Sequence, residues 1–102
     1  MTAAPDPLFL AAGDCAQPRR LRFGWAAILR ALPRDAIRSR VLERYRAAGF
    51  APDDFAHRSA ARACMADCLT RAEDWIELEH PLWVAERAAI AAVRRPLELE
   101  IR

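Results

Sequence analysis

Three residues with the chemistry of metal ligands stand at helical spacing in this sequence: His57, Cys64 and Cys68, seven and four residues apart. On one continuous helix they would share a face. An imidazole and two thiolates form a donor set suited to zinc or another soft transition metal. A tetrahedral site needs a fourth ligand, which Cys15 or His80 would have to bring from another segment. Ala61 and Trp75 continue the same face, however, and make the stripe read equally well as a packing seam in which cysteine serves as a small hydrophobe. The pairs Asp54-x-x-His57 and Glu77-x-x-His80 resemble half of a carboxylate-bridged di-iron set, with Glu43 and Glu86 as further carboxylates. On one straight helix they would stand roughly 35 Å apart, too far to share an ion.

Catalysis finds little among these residues. There is no Gly-rich phosphate loop, no G-x-S-x-G and no H-E-x-x-H. A His57/Cys64 dyad inside a helix has no free backbone N–H groups to hold an oxyanion. The chain is therefore expected to be non-catalytic and to need no cofactor.

The arginines offer different chemistry. All sixteen basic residues are arginine, a bias that accompanies alanine under GC-rich coding of bacterial type, and the net charge is only +2. Arg34, Arg38, Arg40, Arg44 and Arg46 are concentrated in one segment, followed by a G-F-A-P-D-D-F joint and then Arg58 and Arg62. A helix-turn-helix meeting phosphates is one reading, with Arg58 and Arg62 on the exposed face of the second helix. Asp53 and Asp54 at that helix's start oppose it, because phosphates are repelled there. The acidic stretch from Asp67 to Glu86 is expected either to face the basic segment or to occupy an opposite solvated surface.

The remaining reading is protein–protein interaction. Trp25, Trp75 and Trp83 are many large aromatics for 102 residues, and Trp and Arg are residue types that anchor interfaces. Trp25, Trp83, Arg38 and Arg44 are the expected contact residues, for a protein partner or a second copy of the chain.

The elements that would position all of this are helices. Ala, Leu, Arg and Glu dominate and β-branched residues are few. Prolines and Gly13 punctuate residues 1–18, which read as an irregular arm, with residues 19–102 as one domain. Leu21, Trp25, Ile28, Leu29 and Leu32 form an apolar stripe over about 20–32. Pro33 opens a second helix with Ile37, Val41, Tyr45 and Ala48 inward and Gly49 as its stop. Pro52, Asp53 and Asp54 start a third, running to about Glu79, with Phe50 and Phe55 stapling its entry. A fourth spans about Pro81 to Arg95 and stops at Pro96, leaving Leu97–Ile101 extended. The expected fold is a compact all-α bundle or orthogonal arrangement of about four helices. The short apolar runs exclude a helical membrane span. The first residues do not read as a secretory signal, and the odd number of cysteines suggests reduced thiols in the cytoplasm.

Overall fold

The computed structural model describes residues 23–101. The arm over 1–18, the start of the first helix at Arg20 and Leu21, and Cys15 lie outside the described residues. The rest is all-α: α1 (Trp25–Arg30), α2 (Asp35–Ala47), α3 (Asp54–His57), α4 (Ser59–Glu79) and α5 (Val84–Ile101). No strand occurs among the described residues.

α4 is the central element and packs against α2, α3 and α5. Its Ala61, Met65, Cys68, Leu69, Ala72 and Ile76 are buried, the 3.6-residue recurrence of a helix facing its neighbours. α2 contributes Ile37, Val41 and Tyr45, α1 contributes Ile28, and Leu32 follows it. Each such side chain contributes about 1.5–3 kcal/mol by leaving water. α2 ends at Ala47, so Ala48 is exposed and not inward. Gly49 stops it at φ 97°, a backbone angle that a side chain resists. The Tyr45 hydroxyl donates to the Ala51 carbonyl at 2.7 Å and holds the joint against α2. Arg38 donates through Nε to the Leu32 carbonyl at 3.0 Å, closing the end of the α1 segment.

The long third helix expected from Pro52 to Glu79 is broken. Arg58 is extended (φ −124°, ψ 121°), which separates α3 from α4. On a continuous helix Phe55 would lie about 9 Å beyond Ala61 along the axis. The break turns it back into the core, where its ring meets Trp25 at 5.8 Å. Phe50 joins the same core through Tyr45, also at 5.8 Å. Asp54 reaches back to accept the Ala51 N–H at 2.7 Å, the local reason that a turn forms before α3.

The expected stop at Pro96 is also overturned, and Leu97–Ile101 is helical instead of extended: α5 runs through the proline to Ile101. A proline inside a helix costs about 3 kcal/mol. Beyond it, Leu97 is fully buried, Glu98 pairs with Arg94 at 3.0 Å, and Glu100 pairs with Arg62 at 2.7 Å. These contacts hold the last turn in place. At Pro81 the chain folds back, and the pairs Arg62–Glu100, Glu73–Arg94 and Glu77–Arg87 show α4 and α5 to be an antiparallel hairpin.

Candidate functional site

The closed end of the α4–α5 hairpin gathers the most unusual surface of the protein. Pro81 ends α4 at Glu79, since the residue before a proline is driven from helical angles; His80 sits at φ −137°, ψ 58°. The His80 N–H donates to the Ile76 carbonyl at 2.8 Å, and the Trp83 N–H to the His80 carbonyl at 2.9 Å. This four-residue turn brings three rings together. His80 stacks on Trp83 with centroids 3.9 Å apart and planes 8° from parallel. Trp75, one turn back on α4, meets both edge-on, at 4.8 Å from His80 and 6.0 Å from Trp83.

Two arginines from α2 and its entry clamp this cluster. Arg34 lies 4.3 Å over the Trp83 ring and donates to Glu86 at 2.7 Å. Arg40 lies 4.4 Å over Trp75. Each is a cation–π contact with the face of an indole. The Glu86 carboxyl is held below the usual carboxylate range, first by its own backbone N–H in the opening turn of α5 and then by Arg34. The rings are thus fixed from several sides, whereas the aliphatic residues around them are not: Leu78 is 81% exposed, Leu82 90% and Val84 68%. Beside Val84 and Pro81 an open groove of about 340 Å³ runs between the helices to Ala91 and Arg95.

The residues expected to form an interface are not all brought together: Trp83 and Arg44 adjoin the same rings and arginines, whereas Trp25 lies at the far end of the hairpin. Trp83 is in the tip cluster. Trp25 packs on Tyr45 and Phe55, beside the Arg62–Glu100 end of the hairpin; residues 84 and 100 of α5 are about 24 Å apart along the axis. Arg38 is engaged with the Leu32 carbonyl and Asp35. Arg44 lines a small pocket between α2 and α4 with Arg40 and Arg71.

Of the arginines offered to phosphate, Arg62 is removed from the surface. Its side chain is 5% exposed and is spent on Glu100 and on the Phe23 and Phe55 carbonyls. Arg58 stays exposed, over the Phe50 ring and within 3.8 Å of Asp54. Arg46 is exposed on α2.

The metal-ligand spacing presupposed an unbroken helix. With the break at Arg58, His57 is on α3 and exposed, while Cys64 and Cys68 are on α4. No group of three potential metal ligands gathers among the described residues. Cys68 is buried, and burial, reinforced by the neighbouring Cys64, pushes its thiol up to about 12, away from the thiolate form that binds metals or reacts. His80 is committed to Trp83.

The basic and acidic segments meet directly in one ion pair among the described residues, Arg34–Glu86. Three of the other acids pair within the hairpin: Asp67 with Arg71, Glu73 with Arg94 and Glu77 with Arg87.

Leu78 and Leu82 are exposed residues that the sequence reading does not single out. One local signal pointed to them: apolar residues on both sides of a helix-breaking proline leave a turn in different directions and cannot all face one core.

No protein-family model, no curated protein and no solved structure matches this chain. No helix among the described residues is long and apolar enough to cross a membrane.

Proposed function

We propose that this is a non-catalytic helical adaptor of the cytoplasm that binds another protein through the tip of its α4–α5 hairpin. The observation that carries this reading is the exposure of Leu78, Leu82 and Val84 within seven residues. They flank in sequence a cluster of three interlocked rings clamped by Arg34 and Arg40. Single exposed aliphatic residues are ordinary, but several gathered at one end of a hairpin mark an interaction surface. A rigid cluster lowers the ordering cost of binding.

Photo-crosslinking from position 82, in cells that naturally make the protein, tests the reading. A discrete crosslinked partner is expected, lost when Leu78 becomes Ser in the same chain. A crosslink only to a second copy would make the tip a self-association surface, and no discrete product at all would refute the proposal.

A further inference from the structure

We propose that the partner's binding segment is acidic, with a carboxylate received by Arg40, Arg44 and Arg71 while an apolar residue rests on Leu78. This rests on the reading of the tip as a protein-binding surface and specifies what binds there.

Arg40 and Arg44 are four residues apart on α2 and so share a face. Across the α2–α4 seam Arg71 completes the rim of a pocket of about 40 Å³ whose remaining lining is Val41, Cys68 and Ala72. Each guanidinium keeps donors available, because Arg has five N–H groups in a planar fork. Arg40 gives its face to Trp75 and retains its edge. Arg71 is held by Asp67 through Nε alone, at 2.9 Å. Arg44 enters no ion pair among the described residues. The Cys68 thiol, protonated up to about pH 12, adds no negative charge to the lining. Asp67 and Asp74 stand to the other side of Arg71 on the α4 wheel, on the flank away from Cys68 and α2.

The pocket and the tip are parts of one surface. Arg71, Trp75 and Leu78 follow each other at i, i+4 and i+7 on α4, a single stripe. Arg71 and Leu78 are about 10 Å apart along the axis. The matching segment therefore carries a carboxylate about two helical turns from a leucine-like side chain, and each half of the pattern has its receptor.

A nucleic acid fits the same surface less well. Arg40 covers a face of Trp75, and Arg34 and His80 cover Trp83, which leaves little indole face for stacking bases. A pocket of about 40 Å³ takes a carboxylate but not a base.

The test is an NMR titration of the full chain, observing the arginine Nε–Hε signals, with hexaglutamate and separately with hexathymidylate. Hexaglutamate is expected to shift the signals of Arg40, Arg44 and Arg71 together, with an effect that fades between about 20 and about 300 mM NaCl. Arg44→Gln should weaken hexaglutamate binding about five- to tenfold, the loss of one charge-assisted contact. Arg46→Gln, exposed elsewhere on α2, should leave it unchanged. Equal losses in R44Q and R46Q, or tighter binding of hexathymidylate at the three arginines, would overturn the assignment. The tip is judged separately. If a partner crosslinked at position 82 is held as firmly by R44Q as by the native chain, the tip stands and the acidic segment falls. If hexaglutamate titrates the three arginines while position 82 catches nothing, the pocket stands and the tip fails.

Discussion

Arg62 and Glu100 are both almost fully enclosed, with side chains 5% and 6% exposed, and two guanidinium nitrogens reach Glu100 Oε1 at 3.0 and 2.7 Å. The guanidinium also lies 4.3 Å over the Phe55 ring. Among the described residues Glu100 Oε2 is buried without a hydrogen-bond partner, and the pairing falls on Oε1. Such a pair is far more costly to break than to replace. Arg62→Ala, which strands the buried carboxylate, should lower unfolding stability by about 3–5 kcal/mol in chemical denaturation. The double change Arg62→Met with Glu100→Leu should cost markedly less than R62A; equal losses would show that the two charges act independently. Cys68 makes a second residue-scale prediction. Its folded thiol holds its proton up to about 12, above the ordinary cysteine value, so between about pH 9 and 12 the unfolded chain releases a proton that the folded chain keeps. Stability is then full below that window and falls as pH rises through it. Buried Tyr45, also raised, acts in the same direction at the upper end. Melting temperature followed from pH 8 upward should fall more steeply in the native chain than in Cys68→Ala.

α5 shows what a helix tolerates when its far end is well anchored. Pro96 cannot donate to the carbonyl four residues back, yet the helix persists to Ile101 because Leu97, Glu98 and Glu100 are held by contacts to α4 and along α5. Pro96→Ala restores the donor and removes the ring, and should raise stability by about 1–3 kcal/mol in thermal unfolding. A loss instead would mean that the proline's bend is what seats Leu97. α4 is anchored by other means: Glu73 is bound by Arg94 through both carboxylate oxygens, which raises the Arg94 guanidinium further above its already high range. The two helices are thus joined along their length, and the tip that they present is a rigid one.

At the scale of the whole molecule, the core and the binding surface are separate. The core lies between α4 and the helices beside it, while Leu78 and Leu82 project from the hairpin end with 81% and 90% of their surface in water. Replacing both with Ser should leave the melting temperature within a degree or two, because neither side chain is buried on folding. The same double change should abolish capture of the partner at the tip. A large drop in stability would show that these residues serve the fold and not a partner. The arginine pocket adds a salt dependence that the aliphatic residues cannot supply: binding should weaken as salt is added and be rescued by no change at the tip.

The helical class and much of the punctuation are legible in the sequence alone. Ile37, Val41 and Tyr45 recur on one face, Gly49 supplies the positive φ that ends α2, and Pro81 ends α4. Each of these signals acts within about a turn of the chain, where backbone preference decides. The tertiary structure alone decided the rest. Pro96 is a sound local stop signal, overruled by partners on another helix. Arg62 is an exposed phosphate ligand by composition, yet it is buried because Glu100 is 38 residues away in sequence and 2.7 Å away in space. The spacing of His57, Cys64 and Cys68 describes one helix face only until Arg58 turns the chain. Trp25 and Trp83 carry the same indole, and only packing places one beside the core and the other at the tip. Burial, pairing and exposure belong to contacts between distant segments, and local spacing has no access to them.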